Sequence, residues 1–273
     1  MNPQEVTLKN TGIERKNKIV PNSNYFRINN GYDIFYTSLN SSNKVWFICN
    51  PLFEEALYSY DVLKNFSNFT HMHDYSSIRH DYTGTGNSDG ELLNSTIDNW
   101  ILESIELINS IAKDKEIHLL GLRYGAVIAS KIAKSIKTEK LILWAPIFDS
   151  EDYFQKLLKY NIATQYSTHK KIDTNSQQLE EILKNGKSIE VQGFEINDSF
   201  SSSLRNNHLE HDACENTKII FSNQREYDAY LKYTSSYTFN NSPECIIIKQ
   251  APFWIESKMY YSEIQDFYNA SLD

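Results

Sequence analysis

The chain has 273 residues, 40% hydrophobic and 23% charged, which excludes general disorder, collagen-like repeats and a coiled coil. Its 27 basic and 35 acidic residues give a net charge of −8, which argues against a surface that neutralises nucleic-acid phosphates or docks on anionic lipid. The polar start Met1-Asn2-Pro3-Gln4-Glu5 has no signal-peptide pattern, and no apolar run approaches the ~18 residues of a membrane span. Cys49, Cys214 and Cys245 are widely spaced, so reduced thiols in a cytoplasmic protein are expected. No CxxC, HExxH or clustered Cys/His set is present, so neither a metal nor a cofactor is expected.

Residues 1–30 are polar and weakly patterned and read as an N-terminal extension. Gly31–Leu39 and Lys44–Cys49 (KVWFIC) read as strands, the second of the fully buried kind. Helical spacing runs from Leu52 to Phe69. A weaker strand, Ser76–Tyr82, is closed by the turn Thr83-Gly84-Thr85-Gly86, and Ser95–Ala112 is an amphipathic helix capped by Ser95 or Thr96. The strand Glu116–Gly121, the helix Tyr124–Ser135, the strand Lys140–Ala145 and the helix Asp149–Ala163 follow. Residues 164–212 are polar and without a clear period, and read as a cap or lid insertion. Strands at Thr217–Phe221 and Glu244–Lys249 and a helix from Glu256 to Tyr268 complete the chain. Strands alternating with helices predict an α/β fold: a mostly parallel central sheet with helices on both faces, its core formed by residues 31–163 and 213–273. The cap then lies over the carboxyl ends of the strands, where ligands bind in open parallel sheets.

Gly121-Leu122-Arg123-Tyr124-Gly125 joins a buried strand to a helix, the setting of a GxSxG nucleophile elbow. The flanking glycines make room for a strained turn. The central residue here is Arg123, and a guanidinium serves as neither nucleophile nor base at pH 7. Asn50-Pro51-Leu52-Phe53-Glu54-Glu55 follows the strand whose end would supply one oxyanion amide, with Tyr124 supplying the other.

Asp81-x-x-Gly84-x-Gly86-x-Ser88-x-Gly90 is similar to a loop frequent in α/β-hydrolases. Five further segments, in order, resemble one group within that superfamily, the second hydrolase family associated with exosortase systems. Pro51-Leu52-Phe53-Glu54-Glu55 is similar to its P-x-F-x-E-E, and Gly121-Leu122-Arg123-Tyr124-Gly125-Ala126 to its G-L-R-x-G-A. Leu143-Trp144-Ala145-Pro146 resembles L-W-x-P, Gly193-Phe194-Glu195 resembles G-Y-E, and Pro252-Phe253-Trp254 resembles P-F-W. The resemblance implies the α/β-hydrolase fold with an arginine in the elbow.

In that fold the triad histidine follows the last strand, where Gln250-Ala251-Pro252-Phe253-Trp254 contains none. Glu226, Asp228 or Asp149 stands where the acid belongs, with no histidine to orient. Cys49 and His118 read as core residues, His80 as a core or edge residue, and His211-Asp212 with Cys214 as a loop. Two readings of the site remain. In the first, Arg123 forms the cationic floor of a pocket that binds a small acyl or anionic molecule, with Leu52, Phe53, Tyr124, Phe253 and Trp254 around it. In the second, Arg123 and the Leu52 and Tyr124 amides stabilise charge while Glu54 or Glu55 activates water or a hydroxyl in a non-serine hydrolase or acyltransferase. A carboxylate paired to arginine has a lowered pKa, which weakens it as a base. A salt bridge from Arg123 to Glu54 or Glu55 that plugs the site, and a protein partner or homodimer, are also open.

Overall fold

A computed structural model of the chain describes residues 19–235, 238, 240–255 and 261–272. The chain runs β1 (Asn22–Arg27), β2 (Asp33–Leu39), β3 (Lys44–Cys49), α1 (Phe53–Met72), β4 (Ser76–His80), α2 (Ile97–Ile111), β5 (Glu116–Leu122) and α3 (Tyr124–Ser135). It continues with β6 (Lys140–Trp144), α4 (Ser150–His169), α5 (Ser176–Lys184), β7 (Ile189–Val191), β8 (Phe194–Ile196) and α6 (Asp198–Asn206). β9 (Thr217–Phe221), α7 (Gln224–Tyr233), β10 (Glu244–Ile247) and α8 (Tyr261–Leu272) end it. Eight strands form one sheet in the order β1-β2-β4-β3-β5-β6-β9-β10. β1–β2 and β2–β4 pair antiparallel, and every other neighbouring pair is parallel.

The central strands are continuous apolar runs because both faces are covered. Along β3, Val45, Phe47 and Cys49 face one core with α2 and α3, while Trp46 and Ile48 face the other with α1 and α8. β5 divides in the same way, Leu119 to the first and Leu120 and Leu122 to the second. No described helix is long and apolar enough to cross a membrane.

Four features differ from the sequence expectation. β1 lies inside the stretch read as an extension; its side chains are mostly exposed on both faces, so no alternation marks it. α4 continues to His169 on exposed polar turns and ends at Lys170 in the left-handed conformation. The stretch 164–212 is ordered into α5, the β7–β8 hairpin and α6, elements of three to nine residues too short to show a period. α7 occupies a segment to which the sequence assigned no element. Of the expected C-terminal helix, residues 256–260 lie outside the described residues, as do residues 1–18 of the extension.

The glycine-rich loop after β4 is tied down from several sides. Asp81 Oδ2 accepts from the Asn87 N–H at 2.9 Å, and Ser88 Oγ donates to the Asp81 carbonyl at 2.6 Å. The Thr83 carbonyl accepts from Trp100 Nε1 and Ser95 Oγ, both at 3.0 Å. The Thr83 N–H donates to Glu103 Oε1 at 2.9 Å, and its hydroxyl donates to Glu103 Oε2.

Glu103 is 3% exposed, and burial pushes its carboxyl up to about 7 against the two Thr83 hydrogen bonds that pull it down. The folded pKa lies above the unfolded one, so the native state holds a proton that the unfolded chain releases. The stability from this group is full below about pH 4.5 and is lost as pH rises through about 7. At ~1.4 kcal/mol per unit, the loss is roughly 3 kcal/mol. Urea denaturation from pH 4.5 to 8 is expected to show this decline in the wild type and a flatter profile in Glu103→Gln. Parallel profiles would assign the titration elsewhere.

Candidate functional site

The site is built at the carboxyl ends of β3, β5 and β6. β5 ends at Leu122, and Arg123 enters α3 with φ 56° and ψ −121°. A Cβ on Gly121 would lie 2.3 Å from the Gly125 carbonyl oxygen, and one on Gly125 would lie 2.3 Å from that of Cys49. Both glycines are therefore needed for the close approach of α3 to β3 and β5. Phe53 (φ 53°) after β3 and Ala145 (φ 43°) after β6 are also left-handed. Three strained non-glycine residues thus stand at three neighbouring strand ends, a pattern typical of functional sites.

The Arg123 side chain is held on three sides. Its Nε donates to Glu55 Oε1 at 3.1 Å, and its Nη1 donates to the Ala145 carbonyl at 3.0 Å. Its guanidinium carbon lies 5.0 Å from the Trp254 ring centre, a cation–π contact. Nη2 makes no hydrogen bond with any described residue. The side chains of Arg123 and Glu55 are 17% and 12% exposed. Glu55 Oε2 accepts from the Tyr153 hydroxyl at 3.4 Å. Burial pushes the Glu55 carboxyl above its ordinary value, opposed by the Arg123 charge and by hydrogen bonds from Arg123 and Tyr153. The lowered pKa expected of an arginine-paired carboxylate is therefore overturned by desolvation.

Arg123 opens onto a cavity of about 890 Å³. α4 contributes Asp152, Tyr153 and Lys156, and α7 contributes Arg225, Ala229 and Lys232; Trp254 closes another side. The carboxylates along it are engaged. Asp149 caps α4 through the Asp152 N–H at 2.9 Å, Asp152 pairs with Lys156 at 2.6 Å, and Glu226 accepts from the Ser222 N–H and hydroxyl at 2.9 and 2.7 Å. Arg225 and Lys232 are exposed and form no ion pair with a described residue. Serine, cysteine and histidine are absent from the described residues that line this cavity.

The residues expected at the site divide. Glu55 is the partner of Arg123; Glu54 forms no such pair. Trp254 stands beside Arg123, but Phe253 is buried against Trp144 in the core and is not part of the wall. The Tyr124 ring is buried beneath α6, where its hydroxyl donates to the Leu204 carbonyl at 2.5 Å, so only its backbone belongs to the elbow. Leu52 and Phe53 line a separate cavity. Cys49 is fully buried, and burial raises its thiol pKa. His80 is buried against Ser104 Oγ at 3.0 Å, with its pKa lowered to about 3 by desolvation. His211 and Cys214 are half-buried and line neither cavity. Glu226 is a helix-end ligand of Ser222, and Asp228 accepts from Gln224 at 2.8 Å.

Sequence reasoning missed Tyr153, Lys156, Arg225 and Lys232. A signal was present: positions 149, 152, 153 and 156 follow the i, i+3, i+4, i+7 spacing of one helix face. Positions 225, 229, 232 and 233 follow the i, i+4, i+7, i+8 spacing of one face of α7.

No protein-family model and no curated protein matches the chain. Solved structures do. The α/β hydrolase GrgF from Penicillium sp. superposes with a TM-score of 0.62 at 15% identity, covering 93% of this chain and 97% of that one. Alpha/beta hydrolase domain-containing protein 10 from mouse gives 0.59 at 17% identity, covering 91% and 96%. An esterase of Pyrococcus furiosus gives 0.57 at 13% identity, covering 93% and 91%. With the parallel sheet and the elbow, these likenesses define an α/β-hydrolase fold.

Arg123→Met strands the buried Glu55 carboxylate and is expected to cost about 3 kcal/mol in urea denaturation. The double variant Arg123→Met/Glu55→Gln is expected to recover more than half of that loss. Equal losses in the two variants would mean that the pair is not coupled.

Proposed function

We propose that this α/β-hydrolase-fold protein carries a degenerate triad and binds a small anionic or acyl-carboxylate molecule over Arg123. One observation carries the reading. Two nitrogens of the guanidinium are held by Glu55 and Ala145, and Nη2 is left without a described partner on a side chain that lines the 890 Å³ cavity. A fixed fork with one open edge suits a carboxylate or phosphate oxygen. Arg225 and Lys232 add positive charge along the same wall. The volume lies within the ~300–1,000 Å³ range of small-molecule sites.

A relation to the second exosortase-associated hydrolase family is supported by where its motif segments meet. Glu55, Arg123, Ala145 and Trp254 come from four of the five segments and touch at one point. Phe194, from the fifth, packs on Phe53 with ring centres 5.4 Å apart.

A second reading, a non-serine hydrolase or acyltransferase, is favoured by the placement of Glu55 between Arg123 and the Tyr153 hydroxyl at the strand ends, where burial moves its carboxyl upward, toward the range of a general base.

Calorimetric titration with hexanoate, citrate and inorganic phosphate tests the first reading. At least one anion is expected to bind, and Arg123→Met/Glu55→Gln to weaken it at least tenfold, ~1.4 kcal/mol. Unchanged affinity in that variant, or no heat from any of the three, removes the anion-clamp reading. Turnover of aryl esters or acyl thioesters that Glu55→Gln abolishes would install the second reading in its place.

A further inference from the structure

The cavity that takes Leu52 and Phe53 lies on the other side of the first turn of α1 and shares no lining residue with the one over Arg123. Its volume is about 430 Å³. The walls are apolar: Leu52 and Phe53 from the β3–α1 junction, Tyr82 and Leu92 from the glycine-rich loop, Trp100 from α2 and Phe194 from β8. Packing makes those walls stiff. Tyr82 and Trp100 stack with ring centres 4.6 Å apart, and Phe53 sits between Phe194 and Phe200 at 5.4 and 5.9 Å.

One end of this cavity is polar. Arg79 projects from β4 on the face opposite His80, and its guanidinium lies 4.5 Å from the Tyr60 ring centre. Its Nε is buried and makes no hydrogen bond with a described residue. Nε is closed off from the cavity, so the rest of the guanidinium is what a ligand meets at this end. Asp61 and Asp81 line the same end, two negative charges against the one positive charge of Arg79. An anionic group entering there meets net repulsion, whereas an uncharged carbonyl accepts from the guanidinium without it. At the mouth, α1 presents Leu57 and Tyr60, which are 66% and 53% exposed although both are large and apolar. A bound apolar body would cover them.

We propose that this cavity is a second ligand site that takes an uncharged molecule with an aromatic or acyl body and a carbonyl group, the carbonyl oxygen accepting from the Arg79 guanidinium. The preference for a neutral head separates it from the anion site over Arg123. Occupancy of one does not require the other.

The probe is a neutral naphthyl ketone, 6-propionyl-2-(dimethylamino)naphthalene, whose emission moves to the blue when it leaves water. Wild type is expected to give a saturable blue shift with one equivalent bound. Arg79→Lys keeps the charge but removes the planar guanidinium, and is expected to weaken binding roughly tenfold. Ala56→Phe fills the space beside Phe53 from α1 and is expected to abolish the shift. Arg123→Met/Glu55→Gln is expected to bind as wild type does. In competition, 2-acetonaphthone is expected to displace the probe at lower concentration than 2-naphthoate. Absence of a saturable shift in wild type overturns the proposal. So does undiminished binding by folded Ala56→Phe, loss of binding in the elbow variant, or stronger displacement by the naphthoate anion.

Discussion

Everything at this site depends on the turn at Arg123, which exists because nothing larger than a hydrogen atom stands at Gly121 and Gly125. A methyl group at either position would sit 2.3 Å from a backbone oxygen. With those contacts relieved, α3 approaches β3 and β5 closely, and the residue between strand and helix is held at φ 56° with its side chain above the sheet. In a serine hydrolase that position delivers a hydroxyl. Here it delivers a guanidinium, and the surroundings are arranged for one: a carboxylate, a carbonyl and an indole face take three sides of it. Phe53, Arg123 and Ala145 all hold positive φ around it.

The first turn of α1 divides the upper surface of the sheet into two environments. Successive helical residues point about 100° apart, so four neighbours can serve different neighbourhoods. Phe53 packs toward the hairpin, Glu55 reaches Arg123, and Ala56 and Leu57 border the apolar cavity. One short segment therefore sets the charge balance of one cavity and the shape of the other. The two differ in character accordingly. The larger is edged by cations with engaged carboxylates, and the smaller is walled by aromatic rings with Arg79, Asp61 and Asp81 at one end.

The central strands were legible because burial on both faces leaves a continuous apolar run, as in KVWFIC of β3 and KLILW of β6. The boundaries of β3, β9 and α3 agree with the sequence reading for that reason and because Arg123 abruptly ends β5. β1 escaped notice because an edge strand with solvent on both sides has no pattern to show. The hairpin and helices of residues 164–212 escaped because each is short and buries only a few side chains against the rest of the molecule, such as Leu179 and Leu183 on α5.

The sequence by itself determined the parallel sheet, the elbow, the arginine at its centre and the lack of a histidine after the last strand. These are properties of local pattern and of residue identity at a known place in a chain. Tertiary structure decided the rest. It selected Glu55 over Glu54, since only one of two adjacent helical positions can face Arg123. It buried Tyr124 and Phe253, and it moved Leu52 and Phe53 to a different cavity. It recruited Tyr153, Lys156, Arg225 and Lys232 from two helices that follow different strands. It also raised the carboxyl of Glu55 where pairing alone would have lowered it. The physical reason is common to these cases: desolvation and the direction of a side chain depend on what packs above and beside it, and those neighbours lie far away in the chain, as Tyr153 does from Glu55 and Phe194 from Phe53.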